Sequence, residues 1–380
     1  MKTGNNIGID IGGSHITAAI IDVEHPKAKP VSIIRKEIDT KGAGREIIEA
    51  ISACILEIAA DNNPVTAIGI AFPGPFDYQK GVSRIAELGG KFQHIFGLHV
   101  AQALKDGCSL PDTDFYFEND AHCFATGAAK LYNVSKKRSL FLTLGTGFGS
   151  SFMEDGVVLS HHPSIPASGA LYGEKFKDSI ADDYFSTRWI LNQYQTVSNT
   201  EAQSVKDIAG SGSAAAVSVF NSFGSNLGNF LFPWLQQFAC EVLVIGGNIA
   251  KAETLFHAAL IRELNLLEHL PEIIYCGDTE ACILKGAALQ TLTKESQPEQ
   301  KRKTTQALLP LCSLTPSEGY SVFPSYHSRH IIRKGYEELA AIISEEQYVV
   351  IDGYGGVLWE NFRKQLHKCC LLYTSDAADE

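Results

Sequence analysis

The chain has 380 residues, 45% of them hydrophobic, which is the composition of a globular protein with room for two or three domains. Its formal net charge is −11, from 43 acidic and 32 basic side chains. Nucleic acids and anionic membranes are bound mainly through cationic surfaces, so this acidic balance argues against both as the main partner.

The sequence gives no indication of export or of a membrane-spanning segment. Residues 1–6 do not begin a signal peptide, and no run approaches 18 uninterrupted apolar residues, so we expect a cytoplasmic protein without a membrane span. The nine cysteines form no CxxC pair, which predicts buried thiols rather than disulfides or zinc ligands.

The first third of the chain predicts an α/β arrangement. The sequence NNIGIDIGGSHITAAIID (5–22) reads as two strands around a Gly-Gly turn. A strand over 31–38, a helix over 44–62 and a strand over 65–71 follow, because apolar residues alternate in the strands and recur at helical spacing between them. The last strand ends in Phe72-Pro73-Gly74-Pro75.

A similar pattern returns in the middle of the chain. A strand over 114–118 leads into a helix over 121–132, and SLFLTLGTGFGSSFMEDGVV (139–158) is again strand, glycine turn and strand. This internal repetition indicates two related α/β lobes. The remaining predicted elements are a helix over 214–238, a strand over 241–247, a helix after Asn248, a strand over 272–276 and a helix over 279–293.

Both glycine turns favour phosphate binding. Glycines let backbone N–H groups approach a ligand without Cβ obstruction, and consecutive N–H groups that point the same way form an anion-binding nest. Asp10, directly before the first turn, would repel that anion unless a cation such as Mg²⁺ lies between them. Either turn alone is equally well explained as an ordinary tight turn, but the pair together with Asp10 favours phosphate.

Asp120 lies after a strand and at the head of a helix, where the N-terminal dipole stabilises a carboxylate. A lone aspartate there is usually a helix cap. In a protein that binds a nucleotide triphosphate, the stronger interpretation is a general base for a substrate hydroxyl, with Glu118 and Asn119 structural or substrate-orienting.

Five motifs, in this order, resemble the ROK (repressor, open reading frame, kinase) family of sugar kinases. They are GIDIGGSHITAAIID (8–22), GIAFPGPFD (69–77), FENDAHCFATGA (117–128), FLTLGTGFGSSF (141–152) and VLVIGGNIAKAE (242–253). The resemblance covers about 6–292 and implies an actin/hexokinase-like (ribonuclease H-like) ATPase fold, an α/β fold with a cleft between two related lobes.

The resemblance also implies roles for individual residues, with ATP and Mg²⁺ as the co-substrate and cofactor. Asp120 matches the catalytic base and binds the sugar beside Asn119, and Asp10 would hold Mg²⁺ through the phosphates. The phosphate and adenosine loops match Asp10, Gly12, Gly13 and Ser14, then Gly145, Thr146, Gly147 and Gly149, then Gly246, Gly247 and Asn248. The sugar loop matches Pro73 and Gly74.

The sequence departs from the family in the predicted sugar pocket. The family's GH and CxCGxxGC zinc motif would lie between residues 160 and 183, where this chain has no cysteine, so we expect no zinc. Glu174 is assigned to the family's sugar-binding glutamate, and Asp182 or Asp183 to its second carboxylate. His161 and His162 could supply a pocket imidazole or simply be solvated. Residues 91–97 replace an asparagine-containing sugar segment.

The sequence predicts five segments. They are an N-terminal lobe (1–121), a C-terminal lobe (122–294), a polar linker (295–309), an incomplete α/β segment (310–369) and an artefactual tail (370–380). The fourth resembles segments that join ROK kinases to a mannose-6-phosphate-isomerase-like region, which suggests a fusion in the complete gene. The tail resembles a translated sequencing adapter, and we expect no packed structure there.

The combined expectation is an ATP-dependent hexose kinase of the glucokinase, mannokinase or fructokinase type. Alternatives are an N-acetylhexosamine kinase, a polyphosphate-dependent kinase and a non-catalytic sugar sensor. The chain starts at the first phosphate strand with no helix-turn-helix before it, which disfavours a repressor. The expected partners are hexose and ATP, without nucleic acid or membrane, and the resemblance suggests a homodimer.

Overall fold

A computed structural model describes residues 6–295, apart from residues 26, 61–64, 66, 87–89 and 111–112. The chain divides into a unit of Met1–Pro298 and a unit of Glu299–Glu380, and everything described here belongs to the first unit. The predicted linker, incomplete α/β segment and adapter-like tail lie outside the described residues, except for residue 295.

The first half of the described chain forms a five-stranded sheet with helices. Its elements are β1 (Asn6–Ile11), β2 (His15–Ile21), β3 (Ser32–Glu37), α1 (Gly44–Ala60), β4 (Ala67–Ala71), β5 (Phe76–Asp77), β6 (Val82–Ser83), a 3-10 turn (Gln93–Ile95), α2 (Val100–Cys108), β7 (Asp114–Glu118) and α3 (Asp120–Tyr132). The strand order is β3-β2-β1-β4-β7, with β5 and β6 paired separately. The first three strands are antiparallel, whereas β4 and β7 run parallel to β1.

The second half forms another five-stranded sheet and most of the helices. Its elements are β8 (Ser139–Leu144), β9 (Phe148–Glu154), β10 (Val157–Leu159), β11 (Lys175–Phe176), β12 (Ser179–Ile180), α4 (Ala181–Tyr184), α5 (Thr187–Ser198), α6 (Val205–Gly210), α7 (Ala214–Phe238), β13 (Val242–Gly246), a 3-10 turn (Ile249–Ala252), α8 (Glu253–Leu264), β14 (Glu272–Tyr275) and α9 (Thr279–Glu295). The strand order is β10-β9-β8-β13-β14.

The two large sheets repeat one topology. In each, a central strand pairs with an antiparallel hairpin on one side and with two parallel strands on the other, so β1, β2, β3, β4 and β7 correspond to β8, β9, β10, β13 and β14. The two related α/β lobes predicted from the glycine hairpins are therefore confirmed. The repetition places both glycine turns at equivalent ends of their central strands.

Each sheet is packed on an apolar core of its own. Ile7, Ile9 and Phe72 are fully buried in the first core, and Leu142, Phe152 and Ile245 are fully buried in the second. Alternate residues of a strand face opposite sides, so the central strands, which are covered on both sides, are apolar along almost their whole length.

Two helices lie between the sheets. Helix α3 packs on β8 and β9 of the second sheet, and α9 returns to pack on β1 and β4 of the first. The two helices also pack against each other. The proposed division of the lobes at residue 121 stays a prediction, and α9, which belongs to 122–294, contacts the first sheet.

The main difference between the observed and the predicted elements lies in the short helices. Helices α2, α5 and α6 lie outside the predicted elements, and α5 and α6 each bury one apolar side chain. Among the described helices, none is long and apolar enough to span a bilayer. The six described cysteines are buried free thiols, as predicted for them.

Candidate functional site

The first glycine turn joins β1 to β2 and is fixed by backbone and side-chain hydrogen bonds. The Gly12 N–H donates to the His15 carbonyl at 2.9 Å, and the Ile38 N–H donates to the Ser14 carbonyl at 3.1 Å. The Thr40 hydroxyl donates to the Gly13 carbonyl at 3.0 Å. The turn is thus held in one conformation from the outside, which is what a preformed anion cradle requires.

Asp10 lies one residue before the end of β1 and is electrostatically strained. Burial, and after it the negative charges of Asp120 and Glu280, raise the pKa of its carboxyl to about 7 against the opposing effect of Arg35. Because so little positive charge balances this carboxylate, a divalent cation would stabilise it. Mg²⁺ is commonly held by one or two carboxylates together with substrate phosphates. Asp10 therefore fits the predicted magnesium role.

Asp120 is the first residue of α3, and its neighbours define its orientation. The Ala121 N–H donates to Asp120 Oδ1 at 2.9 Å and to the capping Asn119 Oδ1 at 3.0 Å. The Asp120 side chain is open to solvent although protein atoms crowd around it, an arrangement typical of the floor of a cleft. Desolvation by those atoms raises the pKa of Asp120.

The second glycine turn joins β8 to β9 and lies next to the start of α3. The Gly145 carbonyl accepts the Thr187 N–H at 2.7 Å and the Thr187 hydroxyl at 2.9 Å. A Cβ atom on Gly149 would lie 3.3 Å from the Cβ of Ala121, which follows Asp120. Asp120 therefore lies near the second turn through Ala121, and its charge also acts on Asp10 of the first hairpin.

Asp182 is attached to this second turn. Its Oδ1 accepts the Phe148 N–H at 2.7 Å, and the same oxygen lies 3.0 Å from the position of a Cβ on Gly147. Asp182 is one of the two residues assigned to the family's second carboxylate. This contact makes it the better placed of the two beside the glycine turn, whereas the hydroxyl of Ser179 donates to Asp183.

The predicted adenosine loop follows β13 and packs beside the second turn. Gly247 approaches the backbone of Leu144, the residue before Gly145, and its N–H donates to the Thr279 hydroxyl at 2.7 Å. Lys251 donates to Asn248 Oδ1 at 3.0 Å. Thr279 begins α9, so this loop is tied to the helix that packs on the first sheet.

The predicted sugar loop is tied to Asn119 by a residue that the motifs did not single out. The Tyr78 hydroxyl donates to the Phe72 carbonyl at 3.0 Å and accepts the Asn119 amide at 3.3 Å. A Cβ on Gly74 would lie 3.3 Å from the same hydroxyl. Tyr78 thus holds the segment around Pro73 and Gly74 against the strand end that carries Asp120.

Residues 160–183, where the family's zinc motif would lie, contain Glu174 and His162. Glu174 lies in a turn in which its N–H donates to the Leu171 carbonyl at 3.1 Å, and the contacts of the described residues do not join its side chain to Asp120. Its sugar-binding role stays a prediction. His162 Nδ1 accepts the Ser164 N–H at 3.2 Å. Within the described ranges no three His, Cys, Asp or Glu side chains are grouped to hold a metal.

Glu280 is a further residue of the site that the sequence did not reveal. It accepts the Thr17 hydroxyl at 2.7 Å and the Arg35 guanidinium at 3.1 and 3.2 Å, and its charge acts on Asp10. No local pattern could have identified it, because its partners are 245 and 263 residues away in the chain.

Comparisons with known proteins agree with this architecture. Residues 6–164 match the sequence model of the ROK family. The chain is 24% identical over 322 residues to the N-acetyl-D-glucosamine kinase of Haemophilus influenzae, covering 76% of this chain and 99% of the relative.

Two solved structures share the fold. One is a ROK family glucokinase from Streptomyces griseus in complex with glucose and AMPPNP, with 19% identity, a TM-score of 0.61 and coverage of 75% of this chain and 98% of the other. The second is a ROK family transcriptional regulator, a homologue of the E. coli MLC protein, with 16% identity, a TM-score of 0.63 and coverage of 76% and 78%. The lobes and glycine hairpins described above have the actin/hexokinase-like fold, and the sequence of residues 6–164 is similar to that of the ROK family.

Proposed function

We propose that this protein is an ATP-dependent sugar kinase that phosphorylates a hexose hydroxyl, with Asp120 as the general base. The observation that carries the proposal is the position of Asp120, whose charge reaches Asp10 of the first glycine hairpin and which precedes Ala121, the residue that closely approaches the second hairpin. Two anion cradles on either side of one raised-pKa carboxylate suit the transfer of a phosphoryl group to a hydroxyl.

In the proposed reaction, the sugar hydroxyl oxygen forms a bond to the γ-phosphorus of ATP, the bond to the ADP oxygen breaks, and Asp120 takes the hydroxyl proton. Ala121 holds Oδ1 of Asp120, which leaves the other oxygen to accept that proton. The raised pKa of Asp120 makes it a stronger base than an exposed carboxylate.

The remaining residues position the reactants. Backbone N–H groups at Gly13 and the second turn would bind phosphate oxygens, and Asn119, held by Tyr78, would orient the sugar. Asp10 would hold Mg²⁺, which neutralises negative charge on the phosphates when bound. A cytoplasmic location and a homodimeric state stay predictions for this protein.

A second candidate acceptor is an N-acetylhexosamine, and it is favoured by the relative that is an N-acetyl-D-glucosamine kinase. A non-catalytic sugar sensor would have the same fold, as the structural match to a regulator illustrates. A sensor has no use for a general base beside a magnesium carboxylate, so Asp10 and Asp120 together favour the enzyme.

The test is an assay of ADP release by the full chain with MgATP and glucose, mannose, fructose, N-acetylglucosamine or N-acetylmannosamine. We expect one or more sugars to support turnover, and Asp120→Asn to lower kcat by about 10²- to 10⁴-fold, the usual contribution of a general base. Sugar and nucleotide binding, measured by calorimetry, should remain close to wild type.

Asp155→Asn is the matched control, because Asp155 is exposed and lies between β9 and β10 with a φ of 49°, which asparagine also adopts readily. It should leave turnover unchanged. Near-normal turnover in Asp120→Asn would overturn the assignment of the base. Sugar binding without turnover, for every sugar and with ATP or polyphosphate as donor, would favour the sensor.

A further inference from the structure

Lys91 lies directly across the first glycine turn. Its Nζ is 2.6 Å, and its Cε 3.3 Å, from the point that a Cβ atom on Gly13 would occupy. The lysine side chain therefore occupies the space that glycine leaves open at position 13. A half-buried ammonium group thus borders the backbone that forms the predicted phosphate cradle.

The backbone next to Lys91 is anchored on both sides. The Phe92 N–H donates to the Thr40 carbonyl at 2.6 Å, and the Thr40 hydroxyl donates to the Gly13 carbonyl at 3.0 Å. The buried Phe92 ring packs against Phe72, with 5.4 Å between centroids, and Phe72 precedes the predicted sugar loop. Lys91 is consequently held between the phosphate turn and the sugar loop.

The charge of Lys91 is available to a ligand. Arg35 pairs with Glu280 and Lys36 pairs with Glu57, whereas no carboxylate of the described residues lies within 4.0 Å of Lys91 Nζ. An ammonium group has three donors and no acceptor, so it is well suited to phosphate oxygens.

We propose that Lys91 binds the outermost phosphate of the nucleotide at the Gly12–Gly13 turn and positions it toward the sugar. This role rests on the proposed kinase function. It gives a ligand contact to residues 91–97, which replace the asparagine-containing sugar segment of the ROK family. A charge-assisted hydrogen bond of this kind is expected to change affinity about 10- to 100-fold.

The test is calorimetry of the full chain with Mg²⁺ and three probes: tripolyphosphate, ATP and adenosine. Lys91→Met should weaken the binding of tripolyphosphate and ATP by about 10- to 100-fold and leave adenosine binding unchanged. Lys91→Arg should restore most of the loss, because it keeps the charge and the donors. Lys91→Gln gives a second neutral variant should Lys91→Met fail to fold.

Lys41→Met is the matched control, since Lys41 is an exposed lysine of the same first lobe, with its side-chain carbons beside Gly90. It should change tripolyphosphate affinity less than threefold, as expected for a screened surface charge. An equal loss in Lys41→Met would indicate diffuse attraction and overturn the assignment of Lys91. Unchanged affinity in both neutral Lys91 variants, or a wild type that binds neither tripolyphosphate nor ATP, would also overturn it.

The two proposals fail in different ways. If Lys91 governs triphosphate binding but no sugar supports ADP release, the kinase proposal fails and the phosphate contact stands. If sugar-dependent turnover is present and Lys91→Met and Lys91→Gln both bind ATP normally, the kinase stands and the Lys91 assignment is wrong.

Discussion

The two glycine hairpins have the same topology, and they differ in the residue pair next to the turn. In the first hairpin Asp10 lies opposite Thr17, and in the second Thr143 lies opposite Gly149. The first turn also has four residues between its last paired positions, Ile11 and Ile16, whereas the second has three, between Leu144 and Phe148.

The difference separates two tasks in binding a nucleotide. The first hairpin has a half-buried carboxylate, Asp10, at its end and Lys91 across its turn, so it can handle a cation and phosphate charge. The second hairpin has the neutral Thr143 in place of Asp10 and the carboxylate of Asp182 across its turn, and its Gly149 allows β9 to approach α3. Both backbones thus provide N–H groups, while the side chains across the two turns carry opposite charges.

Between the two hairpins, the largest expected effect comes from replacing the residues at the equivalent positions, Asp10 and Thr143. Asp10→Asn should lower kcat/KM for MgATP by about 10- to 150-fold, because it removes a charged ligand from the magnesium phosphate site. Valine has nearly the same shape as threonine, so Thr143→Val should change kcat/KM less than threefold. Steady-state kinetics with the sugar identified in the panel measures both.

Magnesium titrations sharpen this test. Asp10→Asn should raise the Mg²⁺ concentration needed for half-maximal rate, and Thr143→Val should not. Equal losses in the two variants would show that the hairpins share the charged chemistry, which contradicts the comparison.

The repeated strands, glycine turns and long helices were predictable, because they follow from local periodicity and from glycine positions. The positions of Asp10 and Asp120 at strand and helix ends were also predictable. The side chains that complete the site were not, because Glu280, Tyr78 and Lys91 reach it through tertiary contacts. The short helix α5 is not among the predicted elements, although its apolar residues Ile190, Tyr194 and Val197 recur at helical spacing.

The second prediction concerns packing at the turns. A methyl group on Gly149 would overlap the Thr143 hydroxyl and press on Ala121, so Gly149→Ala should lower the free energy of unfolding by about 1–3 kcal/mol. On Gly12 the nearest atom is the His15 carbonyl oxygen at 3.3 Å, so Gly12→Ala should lower it by less than about 1 kcal/mol.

Urea unfolding of the two variants measures this difference. Adding Thr143→Ala to Gly149→Ala should recover part of the loss, because it removes the overlapping hydroxyl. A larger loss in Gly12→Ala than in Gly149→Ala would reverse the expected order and show that the first turn is the more tightly packed.

The smallest effect concerns pH and the charges around Asp10. Its pKa is about 7 in the folded chain against 3.8 in the unfolded one, so the folded state binds the extra proton between those values. Folding stability without ligand should therefore fall as pH rises from about 4 to 7 and level off above 7. MgATP needs the ionised carboxylate, so its affinity should fall about tenfold from pH 8 to pH 6, and Asp10→Asn should lack this change.

Glu280→Gln refines the pH prediction, because Glu280 is one of the charges that raise the pKa of Asp10 and it holds the opposing Arg35. The midpoint of the MgATP affinity profile should move below 7, by less than one pH unit, since Asp120 and burial still act on Asp10. Glu57→Gln breaks the ion pair of the adjacent Lys36 and should leave the midpoint unchanged. A midpoint that stays at 7 in Glu280→Gln would mean that burial and Asp120 alone set the protonation of Asp10, and that α9 contributes only packing to the first hairpin.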